Sequence, residues 1–249
     1  MIEAMFSLRG WDSNPRPSGY EPDELPLLYP AMHCKGTKNH RCKSPLIELR
    51  ICYFREVHHL GHAFLAVAPA EFQFGAIIAD GVRGERERQL PLPMQAGIAF
   101  HREVDYRTDR HPAFRRAREQ LRPAMGRYAG IFIDLWLDAT LGENWSTLSS
   151  EPLSTFLQEL RSTIYTYQSY GPPSWQGFLK AATETDLLYR FASYEGMCLH
   201  IETFIQRRRL PISPREAVAT LRSLQGELEP ILLQFWKDAI GWRKTYNSL

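Results

Sequence analysis

Three stretches of this sequence set acidic or imidazole side chains one helical turn apart inside otherwise apolar text. In GIAFHREVDYRTD, His101, Asp105 and Asp109 recur every fourth residue. On a helix that spacing lines them up along one stripe, with Ile98 and Val104 at its edges and Arg102, Tyr106 and Arg110 on the other side. Such a stripe suits either a solvated surface or a hard cation. In IFIDLWLD, residues 131–138, six of eight residues are large and apolar, leaving Asp134 and Asp138 on the remaining strip. A helix that is hydrophobic nearly all round is central, and a buried carboxylate pair is costly unless a cation or several donors offset it. Asp80 closes the apolar run GAIIAD, where a helix carboxyl end disfavours an anion by up to about 1 kcal/mol unless a cation or the nearby Arg83 reverses the sign. His62 lies in a further apolar segment, HLGHAFLA.

Together these segments supply two histidines and five aspartates from separate helices, a donor set suited to Mn²⁺, Mg²⁺ or Fe²⁺. Cysteine takes no part. The sequence has no phosphate-binding glycine loop, no G-x-S-x-G elbow and no H-E-x-x-H.

The elements that must position these residues read as helices. From residue 57 onward the apolar period is near 3.6: HLGHAFLAVA to Pro69, EFQFGAIIADGVRG ending near Gly81 or Gly84, residues 94–109, and HPAFRRAREQLR with Pro112 at its first position. GRYAGIFIDLWLDATLGENW and EPLSTFLQELRSTIYTYQSY follow, then a Gly-Pro-Pro turn, a helix over about residues 183–206, and a last helix opened by Ser213-Pro-Arg-Glu216 as a capping box and running to about Trp242. Strand signals are nearly absent. The expected fold is all-α, a bundle of about seven to eight helices.

The first 56 residues differ. GWDSNPRPSGYEPDELPLLYPA is coil-like, and MHCKGTKNHRCKSPL is basic and aperiodic. His33, Cys34, His40 and Cys42 match no common zinc spacing. The opening reads as translation through a transfer-RNA gene, with the expected start near Val57, which a GTG codon could encode. Residues 1–56 are therefore set aside as a disordered extension and residues 57–249 taken as the folded domain.

Composition narrows the function classes. Thirty Lys+Arg against 28 Asp+Glu give a formal charge of +2, too balanced for a whole-chain nucleic-acid or membrane partner. Four scattered cysteines imply no disulfide framework and fit a reducing, cytoplasmic setting. No apolar run reaches membrane-spanning length.

The strings HLGHAFLA, GAIIADGVRG, GIAFHREVDYRTDRHPAFRRAREQLRP and YAGIFIDLWLDATLGENW resemble the acyl carrier protein phosphodiesterase family, over about residues 57–243. The string H-x-x-x-D-x-x-T-D-x-H-P at 101–112 is the most specific part. The resemblance implies an HD-like helical hydrolase, dependent on a divalent metal with Mn²⁺ favoured, that releases 4′-phosphopantetheine from holo acyl carrier protein. It implies Asp80 as the principal carboxylate, with His62, His101, Asp105, Asp134 and Asp138 as ligands or their supports. Asp109 is placed behind them, Arg83 beside the reacting phosphoryl group, and Arg115, Arg116, Arg118, Arg207 and Arg208 as basic surface for an acidic carrier protein. The chain departs from the family pattern at Ala76, where Asn is usual, at Ala139, where His is usual, and at Phe64, where a second His is usual. Two other readings fit the same residues: an HD-like hydrolase of a nucleotide or another phosphodiester, and a helical binding protein without catalysis.

Overall fold

The structure is a computed structural model and describes residues 59–249; the expectations for residues 1–56, for the His33–Cys42 segment and for a start at Val57 lie outside the described residues. Helix α1 (His59–Leu65) is buried along its whole length and runs into a three-residue strand, β1 (Ala66–Ala68). Helix α2 (Ala70–Ile78) is almost wholly apolar and tightens into a 3-10 turn at Ala79–Gly81, which carries Asp80. After the short α3 (Glu85–Arg88) comes α4 (Leu92–Arg110), with Pro93 in its first turn.

Pro112 ends α4, because the residue before a proline avoids the helical region; His111 accordingly sits at φ −68°, ψ 130°. That same residue starts α5 (Pro112–Met125): its Nδ1 accepts from the Ala113 amide at 3.3 Å. Helix α6 (Ala129–Glu143) is followed by α7 (Trp145–Leu148) and α8 (Leu153–Tyr167).

The single helix expected over about 183–206 is three pieces: α9 (Gln176–Glu184), α10 (Leu187–Phe191) and α11 (Tyr194–Arg208). The breaks are made by side chains that bond to the backbone and compete with the helix. Thr185 Oγ1 donates to the Ala181 carbonyl at 2.7 Å and accepts from the Leu187 amide at 3.2 Å, and Ser193 Oγ caps α11 by accepting from the Gly196 amide at 3.2 Å. Helix α12 (Pro214–Ala239) begins as its capping signal predicts, with Ser213 Oγ accepting from the Glu216 amide at 3.3 Å. It ends slightly early, passing into a 3-10 turn at Ile240–Trp242.

The all-α expectation holds. Among the described residues the strands are β1 and a two-residue β2 (Lys244–Thr245), paired in parallel, which brings the carboxyl-terminal segment alongside the end of α1. Helix α6 sits at the centre, packed on α1, α5, α10, α11 and α12, with Phe132, Ile133, Leu135, Trp136, Leu137, Ala139 and Leu141 buried. This all-round burial is what the apolar arc of IFIDLWLD predicts. No helix among the described residues is long and apolar enough to cross a membrane.

Helices α2 and α4 approach each other closely. A Cβ on Gly75 would lie 2.2 Å from the Met94 carbonyl oxygen, and one on Gly97 would lie 2.1 Å from that of Phe72. Two backbones in contact leave no room for a methyl group, so these glycines set the spacing on which the His101 side of α4 depends. Gly97→Ala is expected to destabilise the protein by about 3 kcal/mol through forced separation of the helices. Gly226→Ala, in an exposed stretch of α12 where nothing lies within 4 Å of the added atom, is expected to stabilise it by about 0.5–1 kcal/mol. Denaturant unfolding of the two variants checks both signs.

Candidate active site

His62 on α1 and His101 on α4 are both 2% exposed, and their rings stack with centroids 3.7 Å apart. Both address one carboxylate. His62 Nε2 lies 3.1 Å from Asp105 Oδ1, and His101 Nε2 lies 3.2 Å from Asp105 Oδ2. His101 Nε2 is also 3.5 Å from Asp80 Oδ1, at the turn that ends α2. Behind it, His101 Nδ1 donates to the Ala76 carbonyl at 2.8 Å. A backbone carbonyl on one ring nitrogen fixes the tautomer and turns the other nitrogen towards the carboxylates, the arrangement that metal-ligating histidines commonly have.

The electrostatics follow from this geometry. Burial opposes a charge on His101, but Asp105 and then Asp80 outweigh it and raise its pKa to about 10. Burial likewise opposes charge on Asp105, and the two imidazoles nevertheless hold its carboxyl well below the usual carboxylate range. Asp80 is lowered in the same way, with His101 outweighing burial. Asp80 and Asp105 are each about half exposed, so the anionic oxygens open towards solvent while the imidazoles form the floor. One turn beyond Asp105, Asp109 is half-buried, and burial followed by the Asp105 charge pushes its carboxyl up. The stripe of His101, Asp105 and Asp109 therefore contributes its first two members to the cluster.

Asp138 is 3% exposed and takes a particular position. Its Oδ2 accepts from the Leu60 amide at 3.0 Å and its Oδ1 from the Gly61 amide at 2.9 Å. These are first-turn amides of α1, which lack partners within their own helix. Asp138 thus fixes the helix that carries His62. Asp134, one turn earlier on α6, is half-buried. Arg83 is exposed three residues past Asp80. Of the basic residues, Arg115, Arg116 and Arg208 are exposed, whereas Arg118 and Arg207 are half-buried. Arg118 reaches over Phe114 and Arg208 over Phe204.

His62, His101 and Asp105 offer ligand atoms within 4.8 Å of one another, the group among the described residues that could hold a metal ion. Two imidazole nitrogens and carboxylate oxygens, with no thiolate, fit a divalent first-row cation. Two of the departures from the family pattern lie elsewhere. Phe64 packs among Trp145, Phe156 and Trp236, and Ala139 faces a separate cleft between α6 and α11. At Ala76 the group that serves the cluster is the backbone carbonyl, which any residue supplies.

Two histidines were not singled out from the sequence. His59 is 3% exposed, its edge meets Trp175 and Phe178, and neither ring nitrogen has a hydrogen-bond partner among the described residues. Burial lowers its pKa to about 3 against the pull of Asp80 and Asp138. Its spacing of three from His62 was the available signal, because it places both rings on one face of α1. His200 on α11 has its Nε2 out of water with no hydrogen-bond partner among the described residues, and burial followed by the Arg207 charge lowers its pKa to about 4. Nothing in the sequence around it brings it near Asp138.

Residues 57–239 match the family model described as acyl carrier protein phosphodiesterase. Proteins named acyl carrier protein phosphodiesterase from Shigella boydii serotype 18 and Escherichia coli O157:H7 are each 36% identical to this chain over 181 residues, covering 72% of this chain and 94% of theirs. One from Escherichia coli K12 (DH10B) is 36% identical over 118 residues, 47% of this chain and 61% of its own. No solved structure matches the chain. The helices that hold His62, Asp80, His101, Asp105 and Asp138 all lie inside the matched span, and the chain belongs to the acyl carrier protein phosphodiesterase family.

Proposed function

We propose that the chain is an HD-like, divalent-metal-dependent phosphodiester hydrolase, with residues 57–249 as its catalytic domain, which releases 4′-phosphopantetheine from holo acyl carrier protein. The observation that carries this reading is the convergence of His62, His101 and Asp105 in a chain whose relatives are named acyl carrier protein phosphodiesterase. His62, His101 and Asp105 would hold the cation, with Mn²⁺ favoured. When bound, such an ion supplies Lewis acidity towards a phosphoryl oxygen and towards water.

The remaining roles belong to the chain's own groups. Asp80, half exposed beside His101, is positioned to orient a water or to extend the ligand set. Arg83 is exposed on the loop that follows and can offset charge developing on the phosphoryl oxygens. Asp138 acts one step back, by holding α1 so that His62 meets Asp105. Acyl carrier proteins are acidic, and Arg115, Arg116 and Arg208 present positive charge that would steer such a partner onto the surface.

Ligand and positioning roles separate experimentally. Asp105→Asn is expected to lose bound Mn²⁺ and phosphopantetheine release, and also to lower the stability of the metal-free protein near neutral pH, because the buried His101 loses the carboxylate that holds its proton. Asp138→Ala removes the acceptor for two α1 amides and is expected to cost about 1–2 kcal/mol of stability as well as activity. Metal analysis, urea unfolding and a release assay on holo carrier protein, with small phosphodiesters in parallel, test the assignment. Full activity in Asp105→Asn, or hydrolysis of the small phosphodiesters alone, would overturn it.

A pH dependence follows from His101. With its pKa raised to about 10, this imidazole carries a proton near neutrality and must give it up to bind a cation. Mn²⁺ affinity is therefore expected to rise with pH across the neutral range. Binding should release about one proton, read by calorimetry in buffers of differing ionisation enthalpy. Uptake without proton release would remove His101 from the ligand set.

A further inference from the structure

The Gly171-Pro172-Pro173 segment packs on the 3-10 turn that carries Asp80. Gly171 and Pro172 are buried, and Pro173–Trp175 form one 3-10 turn that leads into α9. A Cβ placed on Gly81 would lie 2.5 Å from Pro172 Cγ, and 2.9 and 3.0 Å from Trp175 Cε2 and Nε1. Two rigid rings therefore rest against the backbone next to Asp80. Trp175 is itself 1% exposed, with the His59 ring centroid at 5.2 Å and that of Phe178 at 5.9 Å.

One charged side chain ties this segment back to the loop after Asp80. Arg86 stands on α3, and its Nη2 donates to the Gly171 carbonyl at 2.7 Å and to the Tyr170 carbonyl at 3.4 Å. Contact thus runs from the Asp80 turn at Gly81 onto Pro172, and from the adjoining Gly171 back to Arg86. We propose that Arg86 is a positioning residue for phosphodiester hydrolysis: by anchoring the Gly171–Trp175 segment it sets where the Asp80 carboxylate stands against His101. The proposal rests on the role given to Asp80 in the hydrolase reading.

The surrounding charges single out this guanidinium. In the run Glu85-Arg86-Glu87-Arg88, Glu85 accepts from Arg88 at 2.7 and 3.0 Å, and Glu87 accepts from Arg102 at 2.6 and 2.9 Å. Arg86 forms no ion pair among the described residues and is half-buried, its charge turned onto backbone carbonyls instead of into water. The other donor to the Gly171 carbonyl is the neutral Gln176 amide, at 3.3 Å. A charged donor makes the stronger bond of the two. On its far side Gly171 has no slack, since a Cβ there would lie 2.2 Å from Leu179 Cδ1.

Asp80 depends on such support more than Asp105 does. Asp105 sits within α4 and meets two imidazoles at 3.1 and 3.2 Å. Asp80 sits on a three-residue turn, and its contact with the cluster is the 3.5 Å approach to His101. Proline and indole rings do not bend, so a shift of the segment passes directly to the turn. A displacement of about 1 Å at a reacting group is enough to cost on the order of 10²-fold in rate.

Arg86→Ala in the full chain, assayed on holo carrier protein with Mn²⁺, is expected to lower kcat about ten-fold and leave KM within about two-fold of the parent. Mn²⁺ content should stay parental, because His62, His101 and Asp105 are untouched. Arg86→Lys, which keeps a charged donor, should recover part of kcat, and Arg88→Ala, which breaks an exposed pair with Glu85, should leave it unchanged. Hydrogen exchange read by mass spectrometry needs no turnover. In Arg86→Ala, peptides over residues 78–84 and 168–176 should lose protection together, with those of α1 and α4 parental. Parental kcat in Arg86→Ala, a loss carried by KM alone, no recovery in Arg86→Lys, or exchange rising at 168–176 without 78–84 would overturn the proposal. A parent that releases no phosphopantetheine but shows the paired exchange change counts against the hydrolase reading and leaves the link from Arg86 to Asp80 standing.

Discussion

The candidate site depends on one carboxylate that is not at its mouth. Asp138, buried in the central helix α6, accepts from the Leu60 and Gly61 amides and so joins α6 to the start of α1. An isolated buried carboxylate would be strongly disfavoured. Here two charge-assisted hydrogen bonds, directed at amides that have no partner within their own helix, offset the desolvation. The positive end of the α1 dipole adds to this. The same contact sets the axial position and rotation of α1, and with them the place where His62 meets Asp105.

His101 is fixed by a parallel device on the other wall. The Gly75–Gly97 approach brings α2 against α4 closely enough for the Ala76 carbonyl to receive Nδ1, and Nε2 is thereby turned onto Asp105 and Asp80. Two imidazoles stacked over one carboxylate would repel each other if both were protonated, and the acidic pair beside them counters that. Carboxylates at the opening over an imidazole floor give the group of ligand atoms that could hold a metal ion.

Helix α6 works on two sides. Asp138 faces α1, and the adjacent Ala139 faces the cleft towards α11 and α12, because successive helical residues are turned by about 100°. Ala139 thus lines that cleft and lies apart from the His62, His101 and Asp105 cluster. Phe64 similarly belongs to the aromatic packing around Trp145 and Trp236.

Much of this was legible in the chain. Apolar periodicity located the helices and made α6 central, because a segment such as IFIDLWLD has no wet face to offer; Pro112 and Ser213 marked boundaries through backbone restriction and capping. The i, i+4 spacing of His101 and Asp105 was sufficient to put both on one side of α4. What residue spacing could not convey was which helices meet. The division of labour between Asp105 and Asp138 and the burial of His59 arise from contacts between segments far apart along the chain, whereas the breaks at Thr185 and Ser193 are local side-chain bonds to the backbone that the apolar period does not register. Sequence alone determined the element types and the polar inventory, since these follow from local sterics and hydrophobic period. Only the tertiary structure decided which carboxylate faces the imidazoles and which caps a helix, because that choice rests on the rotation and spacing of packed helices.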